Sequence, residues 1–418
     1  MAAALKQIYD RLFRAAIQGK TEEEIKKIKD DQKNLQELDC LLNPKSYPLI
    51  LNLEECGCDS EKRQECADQC AFDAITLDPE KGIQIHDNEC IGCEECVRFC
   101  DAGKLIPSKD VFPAMKAVQN PTGPVYALVA PAFIGQFSHT TDPGKLRAAF
   151  KEVGFTGMIE VALFADILTL KEALEFDKNI VTTSDYQLTS CCCPIWIGLI
   201  RKVYHELLPH VPGSVSPMIA CGRTIKQLHP DAVTVFIGPC LAKKAEAREP
   251  DLEGAIDFVL TFQEMQSIFE AMEIDPDKLE GKDKDHSSRT GRIYAYSGGV
   301  SEAVKETVER LTPMREIMPI TESADGVPAC KQMINSILAG ETNANFFEGM
   351  GCVGGCVGGP KRILNKEEGK KDVKEYAKEA TYPTPIDNPY VIELLHRLGF
   401  DTVDALLEKS DIFTREIK

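Results

Sequence analysis

Apolar positions along this chain switch between two periods. In residues 1 to 20, Leu5, Ile8, Leu12, Phe13 and Ile17 fall at helical spacing, with Lys6, Asp10, Arg11 and Arg14 between them. That pattern predicts an amphipathic docking helix, and the interleaved charges rule out a signal-peptide core. Lys20-Thr21-Glu22-Glu23-Glu24 restarts a helix, and Asn43-Pro44-Lys45-Ser46 breaks it. Short apolar runs at 74–77 and 83–85 then separate two groups of cysteines, as expected of a small cluster-binding fold. After the turn-rich linker Asn120-Pro121-Thr122-Gly123-Pro124, strand-like runs at 125–130, 158–163, 233–237, 258–261 and 293–296 alternate with helical patterns. Such alternation predicts an α/β domain with mostly parallel sheets. The charged stretch 364–418 reads as helices, with Val391, Leu394, Leu395 and Leu398 on one face.

These elements divide the chain into four expected units: an N-terminal helical segment (1–45), a small α+β module (46–115), a large α/β domain of two lobes (116–365) and a C-terminal helical segment (366–418). The 418 residues suffice for such a core without disulfides. No apolar run is long enough to span a bilayer, so no membrane is expected. A net charge of -18 repels phosphate backbones and argues against nucleic acid. The 17 cysteines bunch in tight local groups, which suits metal ligation in a reducing cytoplasm better than a disulfide framework.

Cys90-x2-Cys93-x2-Cys96-x3-Cys100 has the spacing that wraps three thiolates around one 4Fe-4S cluster and lends the fourth to a second. Upstream, Cys56-x-Cys58-x7-Cys66-x3-Cys70 supplies the complement: Cys56, Cys58 and Cys66 pair with Cys100, and Cys70 completes the other quartet. Zinc also accepts four thiolates, but three cysteines so close together are unusual for a tetrahedral zinc module. A ferredoxin-like fold with two clusters is expected, and two one-electron carriers need a terminus.

Three further cysteine motifs lie far apart in the chain. They are Thr189-Ser190-Cys191-Cys192-Cys193-Pro194-Ile195-Trp196, Gly238-Pro239-Cys240-Leu241-Ala242-Lys243-Lys244-Ala245-Glu246, and the glycine-rich run from Glu348 to Pro360 that contains Cys352 and Cys356. Pro194 suits the first position of a helix, which puts Cys193 at a helix N-terminus where a thiolate is favoured. Glycines around Cys352 and Cys356 let the backbone approach a bulky inorganic cluster. Four thiolates from three segments would close one buried 4Fe-4S site between two lobes.

Together these motifs resemble the three signature motifs of FeFe hydrogenases, over roughly residues 47 to 365, in the branch with a triple cysteine in the first motif. The resemblance implies a two-lobed H-cluster domain. In it Cys193, Cys240, Cys352 and Cys356 ligate a cubane, and Cys356 also bridges to a diiron unit bearing CO, cyanide and a dithiolate amine. Counting from Thr-Ser or from Pro-x-Trp picks different cysteines of the first motif. Counting from Pro194 keeps a gap-free spacing to the stretch 164–175, which also resembles the family, so Cys193 becomes the ligand and Cys192 the proton-donating thiol. Glu172 and Glu175 are implied behind it as proton carriers, although Thr169-x-x-Glu172 also reads as a capping box. Lys243, one helical turn after Cys240, is implied to hold a cyanide, with Glu246 a turn further as its partner; an exposed ion pair is the plainer alternative. Pro131 and Ala132 resemble the loop that faces the other cyanide, Pro239 belongs to the cofactor-binding motif, and Met350 resembles the methionine packed near the bridging carbonyl.

The chain departs from the commoner pattern at Gly238, at Met218 and in the ending of the third motif, and Pro212 stands where a relay serine usually does. The outer proton path must therefore differ, through water or Ser214. Cys40, Cys221 and Cys330 have no cluster spacing and are assigned to packing. The expected function is reversible reduction of protons to dihydrogen in the cytoplasm of an anaerobe. Electrons would come from or go to ferredoxin or a similar soluble carrier, and assembly would rely on hydrogenase maturation enzymes. The rival readings are a non-catalytic iron–sulfur assembly relative and a hydrogen sensor.

Overall fold

The computed structural model describes residues 3–53, 56–78, 82–189, 192–408 and 410–417, so Ser190 and Cys191 of the first motif lie outside the described residues. Its centre is a four-stranded parallel sheet in the order Gly157–Glu160, Val125–Val129, Val233–Gly238, Phe258–Thr261. The two inner strands are apolar on both faces, with Ala127, Leu128, Val235 and Ile237 fully buried. Helices cover both sides, as a parallel sheet requires.

A second parallel sheet has three strands, Thr321–Asp325, Phe346–Met350 and Gln187–Leu188, with Phe346–Met350 in the middle. These strands have no counterpart among the expected runs. Thr321–Asp325 is Thr-Glu-Ser-Ala-Asp, polar on both faces, and pairing with a fully buried neighbour overrides its weak propensity. The run at 293–296 is not a strand. Ser288 caps the short helix Arg289–Arg292, which tightens into the 3-10 turn Ile293–Ala295. The run expected at 158–163 ends as strand at Glu160, because the helix Ala162–Asn179 begins two residues later.

That helix is buried on nearly every side from Ala162 to Phe176 and packs against the helices Gly299–Leu311 and Pro217–Leu228. Burial on all sides explains its lack of an apolar stripe. It also encloses the charged residues Asp166, Lys171 and Glu172.

The cysteine-rich module contains two antiparallel pairs, Ile50–Asn52 with Leu105–Pro107 and Ile75–Asp78 with Gly82–Ile85, and the helices Ser60–Asp68 and Glu95–Phe99. It meets the large domain backbone to backbone at Gly92, where an added Cβ would stand 3.3 Å from Ala242 Cα and from Leu241 O. The N-terminal helices Ala3–Ile17, Thr21–Asp30 and Leu35–Leu42 dock Leu5, Ile8, Leu12 and Leu38 onto Leu51, Ile106 and Phe112. The helix Val111–Gln119 runs through position 115/116 and carries the chain into the main core.

At the other end, Lys366–Lys378 and Pro389–Arg397 are helical, with Val391 and Leu395 buried. Residues 413–415 then run beside 213–215, through Arg415 N to Gly213 O (3.0 Å) and Val215 N to Phe413 O (3.1 Å). Among the described residues no helix is long and apolar enough to cross a membrane.

Candidate metal centre

Each expected cubane cysteine sits where a regular element stops. Cys193 is the N-cap of the helix Pro194–Lys202, Cys240 follows the strand Val233–Gly238, and Cys352 and Cys356 follow the strand Phe346–Met350. All four line one cavity between the two sheets. The turn between Cys352 and Cys356 needs Gly355. Its φ is +82°, and an added Cβ would stand 2.5 Å from Ser297 N. Gly351 N donates to Cys193 Sγ at 3.3 Å, so backbone amides already face sulfur here.

Burial pushes the thiols of Cys240 and Cys352 well up and that of Cys356 to about 12, and the neighbouring sulfurs push further the same way. Thiols raised in this way do not ionise by themselves. A positive metal group deprotonates its thiol ligands outright, which is the chemistry this donor set fits. Four sulfur donors from three segments on one cavity, with the close backbone approach that Gly355 allows, are a donor set that fits an iron–sulfur cluster.

The other expected residues fall at different depths around this cavity. Cys192, Lys243, Met350, Pro131 and Pro239 line it, whereas Ala132 is buried behind Pro131 in the 3-10 turn Pro131–Phe133. Lys243 and Glu246 are both buried and form a pair at 2.7 Å, which removes the reading of solvated surface charge. Burial would lower the Lys243 ammonium, but Glu246 and then the sulfurs of Cys240 and Cys356 hold it above its usual value.

Glu172 does not line the cavity but lies within electrostatic reach of Cys192. Burial raises the Cys192 thiol well above its usual range, and the charges of Cys193, Glu348, Glu172 and Cys356 add to this. Thr169-x-x-Glu172 is not a capping box: Thr169 lies mid-helix, its hydroxyl donating to Ala165 O (2.8 Å) and accepting from Tyr294 OH (2.8 Å). Glu175 lies further out and pairs with Lys171. Met218 also lines the cavity, while Cys40, Cys221 and Cys330 are packed in apolar clusters.

Sequence reasoning missed three residues here. Glu348 is fully buried and accepts from Gly298 N (2.9 Å), Ser301 N (2.8 Å) and Ser301 Oγ (2.8 Å). The period-2 alternation that puts Glu348 on the same strand face as Met350 was its available signal. Tyr294 lines the cavity, and Lys171 meets Ser214; neither has any spacing that announces it.

In the cysteine-rich module, Cys56, Cys58, Cys66 and Cys100 line a second, smaller cavity. Cys70 is absent from it and lies within electrostatic reach of Cys90, Cys93 and Cys96. Cys93 and Cys352 line opposite parts of one groove, so the inner quartet adjoins the four-cysteine cavity.

Residues 123–360 match the family described as "Iron only hydrogenase large subunit, C-terminal domain". The NADP-reducing hydrogenase subunit HndD of Solidesulfovibrio fructosivorans is 26% identical over 385 residues, 78% of this chain and 66% of that protein. The cytosolic Fe-S cluster assembly factor NAR1 of Kluyveromyces lactis is 31% identical over 98 residues, 23% of this chain and 21% of that one. The chain thus spans no more than about two thirds of either curated relative's length. A HydA FeFe-hydrogenase structure solved to reveal stepwise H-cluster assembly superposes with a TM-score of 0.60 at 22% identity, covering 73% of this chain and 98% of that one, a likeness of fold.

Proposed function

The chain belongs to the iron-only hydrogenase large-subunit family, and from that premise we propose that it is an FeFe hydrogenase that reversibly reduces protons to dihydrogen. The observation that carries this reading is the convergence of Cys193, Cys240, Cys352 and Cys356 on one cavity that Cys192, Lys243 and Met350 also line. Those four thiolates would hold the metal cluster of the family. That group would supply the redox chemistry that interconverts protons and dihydrogen.

The remaining work falls to side chains of this chain. Cys192 offers its S–H in the cavity and keeps it, because burial and neighbouring negative charge disfavour the thiolate. A neutral thiol there can both give and regain a proton, with Glu172 as the carboxylate within electrostatic reach and Glu175 further out. Lys243, held charged by Glu246, presents an ammonium to an anionic ligand such as cyanide. Pro131 and Pro239 form rigid walls, with Ala132 buried next to Pro131, and Met350 lines the cavity from the end of its strand.

Electrons would enter through the cysteine-rich module. A cluster on Cys56, Cys58, Cys66 and Cys100 would pass them to one on Cys70, Cys90, Cys93 and Cys96, and from there to the cubane. The expected donor or acceptor is a ferredoxin or a similar soluble carrier. The chain as divided above would then comprise docking helices, a relay module and the catalytic domain.

A second reading, a cluster-assembly relative without a diiron unit, is favoured by the match to NAR1. Infrared spectroscopy of protein matured with hydrogenase assembly enzymes separates the two. Bands of metal-bound CO and cyanide are expected; full 4Fe-4S loading without them would establish the assembly reading.

A further inference from the structure

Within little more than one turn, the helix Ala162–Asn179 carries Lys171 and Glu172, both buried, and Glu175, whose side chain is 13% exposed. A buried ammonium persists only where acceptors surround it. Lys171 has two: the Glu175 carboxylate four residues on, and Ser214 Oγ at 2.7 Å. Ser214, itself fully buried, sits close enough to draw the Glu175 carboxyl down as Lys171 does. Its Oγ accepts from the ammonium, so Lys171 ties the serine and the carboxylate together.

Ser214 is not on that helix. Its segment is held by residues 413–415, through a bridge between Ser214 and Thr414 and the backbone bonds on either side of it. The Glu175 Oε2 atom is buried and, among the described residues, has no hydrogen-bond partner. One oxygen of Glu175 is thus fixed and the other left open to take a proton.

We propose that Lys171 and Ser214 are positioning residues for Glu175, holding its carboxylate as the solvent-side proton station behind Glu172, and that residues 413–415 fix Ser214 for this task. The proposal rests on the hydrogenase reading for its purpose, but its geometry stands without it. In the inward step a buffer acid or hydronium gives a proton to Glu175 Oε2 and an O–H bond forms. The same proton then leaves toward Glu172, which restores the carboxylate. Lys171 and Ser214 keep their own protons throughout. Burial raises the Glu175 carboxyl, while Lys171, Ser214 and the more distant Lys178 pull it back. The opposing effects keep it exchangeable.

The test uses the full chain carrying its iron–sulfur clusters but no diiron unit. Infrared pH titration follows the Glu175 carboxyl band, assigned by its loss in Glu175→Gln. Lys171→Met is expected to raise the titration midpoint by about one to three pH units, the usual effect of losing an adjacent opposite charge. Ser214→Ala raises it less, and Lys171→Arg returns it close to wild type. An unchanged midpoint in a folded Lys171→Met overturns the proposal. If that variant does not fold, an unchanged midpoint in Ser214→Ala overturns it instead.

In matured protein, hydrogen–deuterium exchange should slow at least tenfold in Lys171→Met and recover in Lys171→Arg. Equal rates in all three proteins count against the proposal. Matured wild type without CO and cyanide bands would remove the hydrogenase reading alone, and the carboxyl titration would still decide the role of Lys171.

Discussion

Replacing Glu348 by alanine tests how the strand before Cys352 is tied to the rest of the site. Glu348 has no exposed surface and accepts three hydrogen bonds, two of them from the backbone amides of Gly298 and Ser301. The Ser301 hydroxyl can rotate to another acceptor, but the two amides cannot. Each buried donor left unsatisfied costs about 1–3 kcal/mol, so the pair costs about 2–6 kcal/mol. Deleting two buried carbons adds about 1 kcal/mol. Against this, burial raises the Glu348 carboxyl, so holding it charged is itself unfavourable, and its removal returns about 1–3 kcal/mol. Taking the middle of each range, the expected net loss is about 3 kcal/mol. Glu348→Gln keeps one accepting oxygen and should lose about half as much. Urea unfolding of wild type and variants at equal cluster loading measures this through the shift in midpoint at constant slope. If Glu348→Ala falls within about 0.5 kcal/mol of wild type, the amides have found other partners and the reasoning fails.

Cys192→Ala should lower turnover by about 10²–10⁴-fold with iron content intact, and unchanged turnover would take Cys192 out of the proton path. Lys243→Asn should reduce diiron incorporation, measured as CO and cyanide band intensity per cubane; full incorporation refutes an anchoring role. Burial lifts the Asp166 carboxyl to about 7, against the opposing pull of hydrogen bonds from Ser288 and Asn388. A carboxyl raised in the folded state contributes stability fully below its unfolded value, about 4, and loses it as pH rises through about 7, at up to about 1.4 kcal/mol per unit. Asp166→Asn should therefore flatten the decline of Tm over that range, and parallel wild-type and variant curves contradict the assignment. Gly355→Ala, forced into a backbone region open essentially to glycine and against Ser297 N, should cost about 1–3 kcal/mol and lower cubane occupancy measured as bound iron; occupancy equal to wild type argues against a tight cradle.

The parallel sheet was readable because its strands are continuous apolar runs between turn signals, and the cysteine-bearing turns were readable because close spacing is a local property. What escaped was carried by distance along the chain. Thr321–Asp325 is too polar to look like a strand and becomes one only beside Phe346–Met350. The run at 293–296 has strand-like composition, yet a helix cap at Ser288 five residues earlier decides its course. Glu172 looked like half of a capping box because the sequence does not reveal that Thr169 lies in mid-helix. Lys171 and Ser214 are 43 positions apart and meet only once the terminal stretch has locked the second of them in place.

The contact at Gly92 has a consequence for the speed of any electron relay through this protein. At residue 92 the module and the large domain leave little room for a side chain: a methyl group there would stand 3.3 Å from Ala242 Cα and from Leu241 O, on a backbone with φ of +72° that side chains rarely adopt. The electron relay proposed above would cross a junction whose width is set by main chain, and Gly92→Ala would be expected to open it.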